Sequence, residues 1–507
     1  MNEVPRSAGA AAPPTERDLP EGFRARLSAG VMLWAGGRVL VGGSPWRVSM
    51  LAPVVQDLVL RMRDAGTGGI AVQAPRERAA MRVLLDRGFA EPVSRSRANA
   101  DPVDIVVPVL DDVDGLRRLL STMPLDRVVV VDDGSTDPER IASIARGARL
   151  VRHHVNRGPA AARNTGLAHS DTSLVAFIDA DCVGDDTWPT ALLGNFDDPG
   201  VGAVAPRIVP DETGRDLLSR YESVRSSLDM GDRPALVRAG ARLGFVPSAA
   251  LIVRRAALPS IAFDEDLRVG EDVDLIWRLA DAGWLVRYDP SVVVRHRSRT
   301  RLQPWLRRKF QYGTSAADLE ARHPGNLAPA RPSLWSLVTL ASVAAGHPLV
   351  GVAVQAVPFA QLRWAFRRVP DSDGLALRVA AQGLFNDAVG IGQALRREWW
   401  PIGMVALIAS PWSRSARVGA VVMTAPVMIE WAKTRPPMNP LAYLALRLLD
   451  DAAYGTGVLA SSFTAKTWKP LAPDVRVPKA GRVSVAAEFL QALAFRLRRE
   501  QQQEGRH

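Results

Sequence analysis

The chain has 507 residues, 47% of them hydrophobic and 23% charged. That excludes a disordered polymer and is too long for one ordinary core, so two or three domains are expected. The net charge of +11, mostly from arginine, suits nucleic acid, nucleoside diphosphates or anionic lipid without choosing among them. The single cysteine, Cys182, excludes an internal disulfide.

Residues 1–20 carry prolines and charges but no apolar run. They read as a flexible tail rather than a signal peptide, and the soluble parts are expected in a reducing, cytoplasmic compartment. Residues 21–95 form the first expected domain. Val31-Met-Leu-Trp, Gly36-Gly37 and Arg38-Val-Leu-Val41 predict a hairpin. Helices are predicted over Ala52–Met62 and Arg76–Asp86, with a short strand over Phe89–Val93. This pattern is winged-helix-like. It is similar to the small peptide-recognition domains of peptide-modifying systems, including the peptide chaperone of pyrroloquinoline quinone synthesis. A DNA-binding winged helix or a structural cap fits the same pattern, although no basic recognition helix stands out, so no nucleic-acid partner is expected.

Residues 101–320 are expected to form an α/β catalytic domain. Buried strands are predicted over Val103–Val109, Arg127–Val131 and Ser173–Ile178, with a helix over Val113–Met123. Continuous apolar strands separated by helices predict a parallel, doubly wound sheet, whose ligands bind beyond the carboxyl ends of the strands. The polar clusters fall at those ends. No Gly-x-Gly-x-x-Gly turn follows the first strand, which leads instead to Pro108-Val-Leu-Asp-Asp, so a nicotinamide oxidoreductase is excluded.

Residues 321–507 predict a helical, partly apolar region. Pro332–Leu362 has no charged residue if His347 is neutral, and that length can span a bilayer. Gly346-His347-Pro348 interrupts it, giving one kinked span or two short helices that dip into the membrane. Trp399–Ser413 and Val418–Ile429 are apolar but short. Arg363, Arg367, Arg368, Arg396, Arg397, Arg414 and Arg417 flank these stretches, as suits anionic headgroups on a cytoplasmic face. A buried helical core or a dimer interface fits the same composition.

Four clusters carry candidate chemistry. Asp179-Ala-Asp181, at a predicted strand end, can meet a divalent cation and a ribose together. Val131-Asp132-Asp133-Gly134-Ser135 places an acidic turn where it can accept from a uracil NH, and also reads as an ordinary turn and helix cap. Asn156-Arg-Gly158 through Arg163-Asn164-Thr-Gly166 combines close-approach glycines with an arginine that can face base or phosphate. Gly270-Glu271-Asp272-Val-Asp274 opens a helix with carboxylates, which can supply a general base or simply complement the helix dipole.

Together, in this order, the four clusters resemble family-2 glycosyltransferases of the nucleotide-diphospho-sugar transferase (GT-A-like) fold, over about 200 of the 507 residues. The resemblance implies inverting transfer from a nucleotide-sugar donor with Mn²⁺ or Mg²⁺. It implies Val107, Pro108 and Asp133 around the base with Arg163 nearby, Asp179 on the ribose, and Asp181 on the metal. Asp272 is implied as catalytic base and His296 as a second metal ligand. Glu271, Ser248, Trp277 and Arg308 are further candidates for acceptor or diphosphate, Arg308 with its neighbours Arg307 and Lys309. Gly244-Phe-Val-Pro-Ser248 resembles the acceptor-side loop. The Gln-x-x-Arg-Trp of processive members is missing, the nearest stretch being Gln303-Pro-Trp305-Leu-Arg307, so a long polysaccharide channel is not expected.

The whole layout, with Leu33-Trp34 through Trp46 in the first domain, is similar to the glycosyltransferases of the mycofactocin system. That likeness implies glucose transfer from UDP-glucose to a peptide-derived small-molecule acceptor, at the cytoplasmic face of the cell membrane. Two other readings stay open. One is transfer to polyprenyl phosphate or another membrane lipid. The other is a non-catalytic scaffold that binds peptide and membrane, against which the intact Asp181 and Asp272 argue.

Overall fold

The computed structural model describes residues 17–93, 102–211, 214, 216–297 and 301–477. Most of the expected amino-terminal tail, the expected first domain boundary near 95–101 and the last thirty residues lie outside the described residues. The chain divides into two compact units. Among the described residues, one holds 17–93, 102–211 and 227–297, the other 214, 216–226 and 301–477.

The first unit begins with a small α/β module. Its elements are β1 (Phe23–Leu27), β2 (Met32–Trp34), β3 (Val39–Gly42), β4 (Arg47–Met50), α1 (Pro53–Ala65), β5 (Ile70–Val72), α2 (Pro75–Asp86) and β6 (Ala90–Pro92). The predicted hairpin is β2–β3, extended by β4 into a three-stranded sheet. A second sheet, β5-β1-β6, is centred on β1, a strand not predicted from the sequence. Both helices start on proline at the first turn, where the missing N–H costs nothing. They bury Leu58, Val59, Met62, Leu84 and Leu85 in a core shared with Phe23 and Phe89.

This module packs directly on the catalytic domain of the same unit. Arg82 on α2 pairs with Asp198, both fully buried. The Ser44 hydroxyl donates to the Leu236 carbonyl at 2.7 Å.

The catalytic domain follows as β7 (Val103–Val109), α3 (Val113–Leu120), β8 (Val128–Asp132), α4 (Pro138–Ile144), β9 (Arg149–Arg152), α5 (Pro159–Ala168), β10 (Leu174–Ile178), β11 (Cys182–Val183), α6 (Trp188–Leu192) and β12 (Val201–Pro210). α7 (Leu217–Arg225) belongs to the second unit, after which β13 (Ala235–Val237), β14 (Ala250–Arg254), α8 (Glu271–Asp281) and β15 (Leu285–His296) complete the domain. Among the described residues these strands form one nine-stranded sheet, β11-β15-β12-β14-β10-β7-β8-β9, with β13 added to β15.

The expected parallel arrangement holds for β10, β7, β8 and β9. Beyond them the sheet is mixed, because β14 runs antiparallel to both β10 and β12. Strand alternation sends Ile105, Val107 and Val109 into the main core. Val106 points to the opposite face, where α5 lies so close that a Cβ on Gly166 would sit 2.2 Å from Val106.

The second unit is helical: α7, α9 (Leu302–Thr314), α10 (Ala316–Arg322), α11 (Leu334–Ala344), α12 (Pro348–Ala365), α13 (Ser372–Arg396), α14 (Trp400–Ala409), α15 (Arg414–Thr434) and α16 (Pro440–Thr464). Its interior combines apolar packing with buried ion pairs. Lys309 lies 3.2 Å from Asp450 and 3.5 Å from Glu222, and Arg396 and Arg447 share Asp451. Trp305 is buried and donates from its indole to Glu222.

The membrane-span reading of Pro332–Leu362 is corrected. Gly346, at φ +94°, ends the first helix, and Pro348 opens the next. Among the described residues no helix is long and apolar enough to cross a membrane.

Candidate active site

The site forms where β8 and β10 end and β14, α5 and α8 begin. β8 delivers Asp132 and Asp133 at its carboxyl end. The Asp133 carboxylate is buried and holds the following loop. Its Oδ1 accepts from the Arg157 backbone N–H at 3.0 Å and its Oδ2 from that of Gly158 at 2.8 Å. His153 Nδ1 lies 2.7 Å from Oδ1, and its Nε2 is 2.9 Å from the Thr165 hydroxyl. Three of the carboxylate's roughly four acceptor positions are thus filled by described residues. Gly134 must be glycine twice over: its φ is +84°, and a Cβ would meet the Asn156 nitrogen at 2.7 Å.

α5 carries Arg163 into the centre of the site. The buried guanidinium donates to Asp179 Oδ1 at 2.7 Å and to Glu271 Oε1 at 2.8 Å, and its carbon lies 5.5 Å from the Phe263 ring centre. Burial works to lower the Arg163 pKa, but Asp179 and Glu271 outweigh it and raise the value. Asn164 makes paired bonds with the backbone of Phe263, at 2.7 and 3.0 Å, fixing the loop that leads to α8.

α8 starts at Gly270, in the left-handed region, and places Glu271 and Asp272 in its first turn. Asp272 is half-buried. Its Oδ1 accepts from the Val273 N–H at 2.8 Å and its Oδ2 from the Ser248 N–H at 3.3 Å. The adjoining Ala249 carbonyl accepts from the Asp179 N–H at 3.1 Å. Two neighbouring backbone groups therefore tie Asp179, at the end of β10, to Asp272 on α8. Burial raises the Asp272 pKa, against the charge of Arg163 and those two N–H groups. Glu271 is pushed up to about 7 by burial and then by the Asp272 charge, with Arg163 opposing.

Asp181 and His296 meet across the β11–β15 pair. His296 Nε2 is 3.2 Å from Asp181 Oδ2, and both side chains are partly exposed. A carboxylate oxygen beside an imidazole nitrogen fits a divalent cation. Among the described residues no three His, Cys, Asp or Glu side chains are grouped to hold a metal by themselves. Donor phosphate oxygens and water would therefore complete the shell.

The structure thus brings Arg163, Asp179, Glu271, Asp272 and Ser248 into one linked set, with Asp133 holding the Arg157–Gly158 turn that opens α5 and Asp181 and His296 paired. Other expected residues serve differently. The Val107 side chain is fully buried in the core and cannot surround a base, whereas the next residue, Pro108, is half-buried. Trp277 is buried and donates to the Gly244 carbonyl at 2.8 Å, so it fixes the 244–248 loop rather than meeting an acceptor. Ser248 is buried and contributes its N–H. Arg308, in the second unit, stacks 4.8 Å from the Tyr312 ring centre. Its neighbour Lys309 is buried in ion pairs and is not available to a diphosphate.

Sequence reading missed His153, the partner of Asp133, and Arg297, which donates to the α3 cap Asp112 at 2.7 Å. Their only signal in the sequence is position, one just past β9 and one directly after His296.

Residues 104–258 match Glycosyl transferase family 2. The chain is 36% identical over 480 residues to the pre-mycofactocin glycosyltransferase of Mycobacterium tuberculosis, in strains CDC 1551 and H37Rv, covering 91% of this chain and 100% of the relative. It is 31% identical over 201 residues to the succinoglycan biosynthesis protein ExoU of Rhizobium meliloti, covering 35% of this chain and 57% of that one. Among solved structures it is similar to the mannosyltransferase PcManGT of Pyrobaculum calidifontis, in complex with GDP-Man and Mn²⁺, at 22% identity and a TM-score of 0.34, over 56% of this chain and 87% of that one. With its motifs gathered into one site and a relative matched along its whole length, this chain belongs to glycosyl transferase family 2.

Proposed function

We propose that this protein is an inverting, metal-dependent hexosyltransferase that moves glucose from UDP-glucose to a hydroxyl of a peptide-derived acceptor, in the glycosylation of pre-mycofactocin. The full-length relative, by its name, supports the acceptor. The observation that carries the chemistry is the Ser248–Ala249 bridge, which sets the Asp272 carboxylate beside Asp179 and the buried Arg163.

In the proposed reaction the acceptor oxygen forms a bond to the anomeric carbon as that carbon's bond to the diphosphate oxygen breaks. The acceptor proton passes to Asp272, and the electron pair leaves with UDP. Arg163 holds Asp179 in place for the ribose. The remaining acceptor position of Asp133 would take the NH of the base. Asp181 and His296 would hold Mn²⁺ or Mg²⁺, which supplies charge neutralisation at the leaving diphosphate.

Attachment to the cytoplasmic face of the membrane belongs to the same proposal, as surface docking and not as a span. Helices α12 and α14 each bury little beyond a glycine. Leu349, Val352, Ile402, Val405, Ile408 and Trp412 stand 62–82% exposed, and exposed arginines follow each helix in the chain, Arg367 and Arg368 after α12 and Arg414 and Arg417 after α14. Apolar side chains flanked by arginines suit an anionic lipid surface. The same face supports a second acceptor reading, polyprenyl phosphate.

The test combines turnover and binding. Asp272→Asn should still bind UDP with Mn²⁺ but release no UDP from UDP-glucose in the presence of pre-mycofactocin. Full activity in that variant would remove Asp272 as base. Turnover only with polyprenyl phosphate would move the acceptor to the membrane. Failure of the protein to float with phosphatidylglycerol vesicles would remove the attachment.

A further inference from the structure

A cleft of about 340 Å³ lies between the amino-terminal module and the catalytic domain, within the volume range of small-ligand sites. One wall is the β6 edge with Trp46, and the other is the β13 edge with the first half of β15. Arg287 pairs with Val204 and His296 with Pro210, six residues apart on β12 and roughly 20 Å along the sheet. This cleft is therefore separate from the site built around Asp272.

Four arginines line the cleft against two carboxylates, and the carboxylates are already committed. Glu91 accepts from Arg26 Nε at 2.7 Å. Asp289 accepts from Asn195 and from the backbone and hydroxyl of Ser291.

Arg287 is different. It is 4% exposed, and among the described residues its Nε and Nη2 have no hydrogen-bond acceptor. The nearest carboxylate, Asp198, is 3.8 Å from Nη2 and is already held by Arg82. A buried guanidinium with unmade hydrogen bonds is costly unless something completes it. Arg233 and Arg242 add positive charge at the rim: both are exposed, and Arg242 donates to the Arg233 carbonyl. Across from them Trp46 is 48% exposed, an aromatic face for stacking.

We propose that this cleft binds a small carboxylate-bearing ligand with an aromatic ring, its carboxylate on Arg287 with Arg233 and Arg242, and its ring on Trp46. The site goes beyond the proposed transfer reaction: it recognises a ligand far from the reacting atoms and does no chemistry on it.

Calorimetric titration of the full chain tests this, with N-acetyl-L-tyrosine as probe and N-acetyl-L-tyrosinamide as its uncharged control. Saturable binding of the acid is expected, roughly tenfold or more tighter than the amide, as for loss of a charge-assisted pair. Arg287→Gln should abolish that preference, and Trp46→Ala should weaken acid and amide alike. Arg287 is buried, so Arg242→Ala, at the exposed rim, gives a second variant that keeps the fold, and it should weaken the acid alone. Titration of UDP with Mn²⁺ should be unchanged in all three variants, so the donor site is scored separately. Equal binding of acid and amide, variants that bind the acid like the parent, or no saturable binding to millimolar concentration would each overturn the proposal.

Discussion

Arg82 and Asp198 form an ion pair in which neither side chain reaches solvent, at 1% and 0% exposure. The two residues come from different layers of one unit, so the pair fastens the amino-terminal module to the catalytic sheet. Burial works to raise the Asp198 pKa, but Arg82 and Arg287 outweigh it and hold the value below the usual aspartate range. Stability from this pairing is therefore present above the ordinary aspartate pKa and is lost as pH falls through the lowered folded value. Replacing Asp198 by alanine leaves Arg82 with Asp86 alone and takes from the buried Arg287 its nearest negative charge, and should cost about 3–5 kcal/mol. Urea denaturation measures this, and a loss below about 1 kcal/mol would be that of a surface pair.

The acid limb of the pH profile reports the Glu271–Asp272 pair. Both carboxyls are raised, burial first, and a general base must be ionised to act. Activity should fall on acidification above the ordinary carboxylate range. Glu271→Gln removes one negative charge beside Asp272 and should move that limb to lower pH. An unmoved limb in the kcat profile would place the titrating group elsewhere.

The loop after β9 depends on Asp133. Asp133→Ala leaves the N–H groups of Arg157 and Gly158 and the ring of His153 without their acceptor, a cost of about 1–3 kcal/mol for each buried group. UDP affinity should drop and amide exchange at Gly158 should accelerate. Unchanged exchange would show that the loop is held by other contacts.

Metal dependence is read through Asp181 and His296. Chelation with EDTA should stop turnover, and Mn²⁺ should restore it. His296→Ala should raise the Mn²⁺ concentration for half-maximal rate by roughly 10- to 100-fold, by analogy with the loss of a partner at a metal site. Full activity in EDTA would remove the metal from the mechanism.

Much of the site was legible because its carboxylates fall at strand ends and helix starts, which spacing reveals. Asp179, Asp181 and Asp272 are of this kind. The partner of Arg163 was not legible: Glu271 lies 108 positions away, and only the fold brings the two to 2.8 Å. His153 was lost for the same reason, since nothing in a His-His pair after a short strand points back to Asp133. β14 was invisible as a reversal, because an apolar run does not reveal strand direction. In the helical unit, Pro332–Leu362 counted as one apolar length, and the left-handed Gly346 divides it.

The contact between Gly166 and Val106 sets the alignment of everything above it. Helix and sheet lie at a separation that leaves no room for one methyl group. Arg163 rides on that helix, one turn earlier. A methyl at 166 would lift the helix and carry the guanidinium away from Asp179, with no change to any residue that touches substrate. Tolerance is thus tight at a position with no functional group at all, where the missing carbon acts as the spacer that sets the height of Arg163 over the sheet.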